Sequence, residues 1–249
     1  MNGAGRSYQY LSASCTHVGM IRKLNEDACL DRPDLGLWAV ADGMGGHDAG
    51  DLASRLVVES LSRIPPPVNA PSFLAQAKLQ LAEANRSLRA EATAQGSDRI
   101  IASTVVVLLT YNHHFACIWA GDSRLYLWRA TELRQITRDH SHVQELVDIG
   151  VLTPEEAGRH PQANVVTRAV GATDSLEFEM RHERILPADL FLLCSDGLTK
   201  MLSDREIAEV LARTSTTEAA EALVGVALER GASDNVTTVV IQCRGSGAA

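Results

Sequence analysis

Apolar and polar positions along this chain follow two periods, and the order in which the periods change outlines a fold. Residues 8–18 carry a mixed pattern that predicts a first strand, and Ala28 to Leu30 a short second one. Leu35 to Ala41 is apolar at nearly every position, which predicts a third strand covered on both faces. Beyond a Gly-rich turn, Leu52, Leu56, Val57, Leu61 and Ile64 recur at helical spacing, and Pro65-Pro66-Pro67 stops that helix. Phe73, Leu74, Ala77, Leu81, Ala84 and Leu88 mark a second helix of the same layer. The pattern then turns to β. Thr104 to Thr110, Phe115 to Ala120, Arg124 to Trp128 and Glu132 to Ile136 predict four strands in meander order, with a tight turn at Tyr111-Asn112-His113-His114.

Val143 to Ile149 reads as helical, and Gly150, Pro154, Gly158 and Pro161 make 150–164 an irregular insertion. Leu190 to Cys194 is a strand. Ser203-x-x-Glu206 is a capping box opening a helix through Leu211. Glu218 to Glu229 predicts a further helix and Val236 to Ile241 a last strand. Strands, two helices, a strand meander, two helices and a strand do not make the strict alternation of a parallel doubly wound sheet. The order predicts an α+β fold: a four-layer αββα sandwich, two mostly antiparallel sheets flanked by helix pairs. With 249 residues, 45% of them hydrophobic, the chain suffices for one large domain spanning 1–249. Residues 245–249 read as a disordered tail.

The formal net charge of −8 argues against nucleic acid as a main partner and against a polybasic membrane contact. No segment is long and apolar enough to span a bilayer, and Met1 to Tyr10 lacks the pattern of a secretory signal. Cys15, Cys29, Cys117, Cys194 and Cys243 are odd in number and form no CxxC pair, which predicts free thiols in a reducing compartment. The expected location is the cytoplasm, and the expected state a monomer.

Chemistry concentrates at the ends of the apolar runs. Leu37-Trp38-Ala39-Val40-Ala41 leads into Asp42-Gly43, and Leu190-Phe191-Leu192-Leu193-Cys194-Ser195 into Asp196-Gly197. Two more acidic turns join them, Asn25-Glu26-Asp27 and Ser233-Asp234-Asn235. Carboxylates at strand mouths, with Gly alongside to let a carbonyl oxygen approach, suit a hard divalent cation. This points to a metal-dependent hydrolase.

Arg22 to Asp27, Val40 to His47, Ser103-Thr104, Gly121-Asp122-Ser123-Arg124, Thr137 to Ser141, Thr167 to Gly171, Ser195 to Leu198 and Asp234-Asn235 follow one another in an ordered set. In this order and rough spacing the chain resembles the metal-dependent Ser/Thr protein phosphatases, the PPM family, in their bacterial form, over about 10–243. The resemblance implies Mn²⁺ or Mg²⁺ at one end of the sheets: two ions in the core and a third, weaker one. Asp42 would bridge the pair, the Gly43 carbonyl would bind one ion, and Asp196 and Asp234 the other. Glu26 and Asp27 would hold waters around the metals, and Asp122 with Asp196 would form the third site. Arg22 would take the substrate phosphate. All-oxygen ligands select Mg²⁺ or Mn²⁺ over zinc, and a metal-activated water makes a covalent phosphoenzyme unnecessary. The expected reaction is hydrolysis of phosphoserine and phosphothreonine in protein substrates, reversing a cognate Ser/Thr kinase.

Each position also has a plainer reading: an Asp-Gly turn for Asp42 and Asp196, a strand cap for Asp234, a hairpin residue for Asp122, a water-facing turn for Glu26, a surface ion pair for Arg22. Animal members of the family carry a proposed general-acid His directly after the Asp-Gly pair. Here that position is Met44, which leaves the proton donor unassigned, and His47 stays open. His140 reads as structural at the base of a flap over about 142–164, with Asp139 and Ser141 structural beside it, capping the helix that follows. Thr16 to Pro67 also resembles phosphatases that work opposite a Thr kinase in type VI secretion systems. Two alternatives keep the fold: a phosphatase dedicated to an anti-sigma-factor antagonist, and a catalytically dead module that binds phosphoproteins.

Overall fold

Among the residues described by a computed structural model, 8–45, 49–96 and 99–245, eleven strands pair into two sheets, and every pairing is antiparallel. The first sheet runs in the order β1 (Tyr8–His17), β11 (Val236–Gly245), β10 (Leu190–Cys194), β7 (Arg124–Arg129), β8 (Glu132–Gln135). The second runs β2 (Asp27–Arg32), β3 (Leu37–Gly45), β5 (Val105–Tyr111), β6 (His114–Ala120), β9 (Glu179–Arg184), with β4 (Ile101–Ser103) on the end of β3. Helices α1 (Ala49–Ser62) and α2 (Ala70–Gln95) cover the second sheet; α6 (Asp204–Arg213) and α7 (Thr216–Glu229) cover the first.

Three apolar layers hold this together, and alternation along the strands assigns residues to them. On β3, Trp38 and Val40 face the other sheet, while Leu37, Ala39 and Ala41 face α1 and α2. On β10, Phe191 and Leu193 enter the layer between the sheets, while Leu190, Leu192 and Cys194 face α6 and α7. A strand covered on both faces has no polar side, which is why these two runs are apolar throughout. The four-layer αββα sandwich is the architecture expected from the sequence.

The meander is not. β5 and β6 form a hairpin in one sheet, whereas β7 and β8 belong to the other. The chain changes sheets at Gly121-Asp122-Ser123. Gly121 has φ +116°, and a Cβ there would strike the Thr104 side chain, so the crossing needs glycine. A local pattern cannot tell this step from a hairpin, because the strands on both sides carry the same period. β9 escapes sequence reading altogether. It is a charged edge strand, Glu179-Met180-Arg181-His182-Glu183-Arg184, largely open to water, with no apolar face to betray it.

The insertion at 150–164 is less irregular than expected. Thr153 and Glu156 form a capping box on a one-turn helix, α4 (Pro154–Ala157). α3 (His142–Asp148) starts on the Ser141 side chain, which accepts from the Gln144 N–H. A bridge between Ser141 and Val166 closes the base of this flap. Of the predicted tail at 245–249, Gly245 pairs with Tyr8 in β11; the rest of it lies outside the described residues, as does His47.

Candidate metal centre

Backbone pairing brings the first two carboxylates together. β2 and β3 are antiparallel, and their register sets Asp27 opposite Asp42. The Asp42 backbone is fixed from the neighbouring loop: its N–H donates to Thr104 Oγ1 at 3.1 Å, and its carbonyl accepts from Thr104 N–H at 2.8 Å and Ser103 Oγ at 3.0 Å. Thr104 Oγ1 also meets Ser123 Oγ at 2.8 Å, which ties Asp42 to the sheet crossing that carries Asp122. Ser195, at the end of β10, donates from Oγ to Asp27 Oδ2 at 2.7 Å and accepts from Thr237 N–H at 3.0 Å. The same segment leads into α5 (Asp196–Thr199).

Gly43 lies where three segments meet. Its N–H donates to the Glu26 carbonyl at 2.9 Å, and a Cβ there would strike the carbonyls of Gly50 and Glu26. Only glycine lets the end of β3, the start of α1 and the loop before β2 approach this closely. Glu26 is half-buried, and its carboxylate rests against Gly50 in the first turn of α1. That is a favourable place for negative charge.

Asn235 clamps the remaining loop. Its Oδ1 accepts from Glu26 N–H at 2.7 Å, and its Nδ2 donates to the carbonyls of Val18 and Leu24 at 2.9 and 3.0 Å. This holds Arg22 over Asp234, with Nε 3.0 Å from Oδ1. Asn235→Ala strips three backbone groups of their partner in one step. The expected cost is about 1–3 kcal/mol of stability, read from the urea midpoint; an unchanged midpoint would show that the loop holds itself.

The electrostatics follow from crowding. Burial, then the charges of Asp27, Asp196, Asp122 and Asp234, push the Asp42 carboxyl well above the usual carboxylate range. Burial is also the main cause for Asp27 and Asp122, both pushed up to about 7, with Asp196 adding to each. Asp196 and Glu26 are raised as well, again chiefly by burial. Asp234 goes the other way: burial opposes it, but the Lys200 and Arg22 cations hold it below its ordinary value. Lys200 pairs with Asp196 Oδ2 at 2.5 Å and with Asp234 Oδ2 at 3.2 Å.

Two oxygens in this cluster, Asp27 Oδ1 and Asp196 Oδ1, are buried and accept no hydrogen bond. Buried carboxylates with free lone pairs and raised affinity for protons are short of positive charge, and a hard divalent cation fits that deficit with the right donor atoms. Among the described residues no three His, Cys, Asp or Glu side chains close into a protein-only cage.

Every acidic residue singled out in the sequence, Glu26, Asp27, Asp42, Asp122, Asp196 and Asp234, lies in or beside this cluster, with Gly43 at its edge and Arg22 at its rim. Lys200 escaped the sequence reading. Its signal was the four-residue spacing from Asp196, which pairs side chains on one helical turn. Asp139 makes a two-pronged pair with Arg124, at 2.7 Å to Nη2 and 2.9 Å to Nε, rather than capping α3. His140 stacks on Trp119, and its Nδ1 accepts from the Gly121 N–H at 3.2 Å. Between the carboxylates and the flap lies a cavity of about 640 Å³, lined by Asp122, Asp196, Thr199 and Lys200 on one side and Gln144, Arg159, His160 and Asn164 on the other.

The sequence profile of the family Protein phosphatase 2C matches residues 16–229. Serine/threonine protein phosphatase PstP of Mycobacterium tuberculosis is 38% identical over 223 residues, 89% of this chain; the chain spans 43% of that relative's length. The structure of PppA, a key regulatory component of T6SS in Pseudomonas aeruginosa, superposes with a TM-score of 0.87 at 47% identity, covering 94% of this chain and 97% of that one. The PstP catalytic domain in complex with two manganese ions superposes with a TM-score of 0.85 at 34% identity, over 94% of this chain and 98% of that one.

Proposed function

The chain belongs to the protein phosphatase 2C family, and on that premise we propose that it hydrolyses phosphoserine and phosphothreonine in protein substrates with Mn²⁺ or Mg²⁺ as cofactor. The observation that carries this is the cluster of Asp27, Asp42, Asp122, Asp196 and Asp234, with two buried carboxylate oxygens that accept no hydrogen bond. Asp42, the Gly43 carbonyl, Asp196 and Asp234 would hold two ions, and Asp122 with Asp196 a third. Glu26 and Asp27 order the waters around them. Metal held there would supply Lewis-acid polarisation of the phosphoryl group and an activated water.

The chain's own residues do the rest. Arg22, fixed by the Asn235 clamp, stands at the rim of the cluster, where a guanidinium suits a phosphate dianion. Asp27 stays aligned through Ser195, and Asp42 through Thr104. The 640 Å³ cavity beneath the flap gives room for the residues flanking the phosphorylated side chain. The leaving serine or threonine oxygen takes its proton from a donor other than residue 44, which is Met.

A full set of core carboxylates speaks against a dead binding module, and no observation favours the anti-sigma-factor reading. The likeness to PppA supports a place in type VI secretion signalling, and the proposed counterpart of this phosphatase is a cognate Ser/Thr kinase. Five free cysteines support a reducing, cytoplasmic site of action. No helix among the described residues is long and apolar enough to cross a membrane. A monomer is proposed.

The deciding experiment is phosphate release from a phosphothreonine peptide with Mn²⁺, with Mg²⁺ and with EDTA. Release with metal, abolished by EDTA, is expected. No release from folded protein with either metal would return the binding-module reading.

A further inference from the structure

Lys200 stands where a cation is wanted. Its ammonium is shared between Asp196 Oδ2 and Asp234 Oδ2, two carboxylates assigned above to one metal ion. The two arms come from different parts of the chain, α5 and the turn before β11, so this is more than a pair within one helical turn. Arg22 takes the other oxygen of Asp234. Lys200 is therefore the cation that bridges the two carboxylates, and it compensates charges that burial makes costly.

An ammonium on Asp196 Oδ2 and Asp234 Oδ2 competes with a metal ion drawn to the same pair of carboxylates, of which Asp196 Oδ1 alone accepts no hydrogen bond. The ammonium donates hydrogen bonds to the lone pairs that a divalent ion would accept, and like charges at such range repel. The lysine has somewhere to go. A third of its side chain is exposed, and it lines the flap-side cavity. We propose that Lys200 is an internal competitor for the metal: it occupies the position between Asp196 and Asp234 while metal is absent, and is displaced into the cavity when metal binds. This rests on the metal-dependent reading of the site and deepens it, since it makes one residue a determinant of metal affinity.

One substitution then has two effects of opposite sign. Lys200→Met keeps the length of the stem and removes the charge. The metal-free protein loses its compensating cation and melts lower, while metal binding no longer has to displace anything and tightens. The test uses chelator-stripped wild type, Lys200→Met, Lys200→Gln and, as a net-charge control, Arg63→Met, at one fixed pH. Calorimetric titration with MnCl₂ gives affinity, and melting temperatures in EDTA and in Mn²⁺ give stability. Lys200→Met and Lys200→Gln are expected to bind Mn²⁺ about tenfold more tightly, the equivalent of one ion pair no longer broken. Both should gain more on Mn²⁺ addition than wild type, and Arg63→Met should match wild type.

If the wild type binds Mn²⁺ and both Lys200 variants bind it no better, the competition is overturned while the metal reading stands. Weaker binding by both also overturns it, since Lys200 would then be holding the carboxylates in place for the metal. If the wild type takes up no Mn²⁺, the metal reading fails and this proposal with it. Lys200→Gln keeps the question open to an answer should the Met variant not fold.

Discussion

Asp42→Asn is expected to lower metal-dependent phosphate release by about a thousandfold or more, at or beyond what one preorganised electrostatic group supplies, with the fold intact. The fold is spared because the hydrogen bonds that place residue 42 are backbone ones, to Thr104 and Ser103, and an amide leaves them untouched. The loss is large because Asn keeps one neutral acceptor and forfeits the anionic oxygen that two cations would share. Stability should move the other way. Asp42 sits at the centre of a cluster whose members raise one another's proton affinity, so a neutral isostere relieves repulsion and raises the melting temperature in EDTA. Circular dichroism and thermal melts run beside the assay separate the cases. A folded variant with full activity would show that Asp42 is not a ligand; an unfolded one would show that its charge is structural.

The second large effect is a pH dependence that metal erases. Asp27 and Asp122 titrate near 7 in the folded chain, driven up by burial, and near 4 when unfolded. Between those values the folded protein holds protons that the unfolded chain has released. The stability these groups contribute is complete below about pH 4 and is lost as the pH climbs through about 7. Asp42 is shifted in the same direction. Asp234 is shifted downward, so its contribution is present above its unfolded value and is lost only in acid, outside this window. In EDTA the melting temperature should fall by roughly 5 °C from pH 6 to pH 8. Saturating Mn²⁺ should flatten or reverse that slope, since metal replaces the protons and binds better as they leave. Parallel curves with and without Mn²⁺ would mean that the ion binds somewhere other than among these carboxylates.

These expectations draw on different depths of information. Asp42, Asp196, Asp234 and the Glu26-Asp27 turn were legible because each lies in an Asp-Gly, Asp-Asn or acidic turn beside an apolar run, a local signal that survives without coordinates, whereas Asp122 was singled out only through the family resemblance. The architecture was legible for a related reason. Strands apolar on every residue, such as Leu37 to Ala41 and Leu190 to Cys194, require cover on both faces, and the two helical pairs supply it. β9 was not legible, because a charged edge strand is held by backbone hydrogen bonds to β6 and carries no side-chain period.

What the sequence determined by itself is the apolar strands and the long helices, their layering and the carboxylates at the strand mouths, all of which follow from near-neighbour patterning. The tertiary structure alone decided how they meet. It put Asp27 opposite Asp42 through strand register and moved Asp122 to the seam by a change of sheet at Gly121. It also hung the Arg22 loop from Asn235 and set Lys200 between Asp196 and Asp234. Pairing register, sheet crossing and ion pairs across the fold depend on segments 15 to more than 200 residues apart, and no local pattern of polar and apolar residues encodes a contact over that separation.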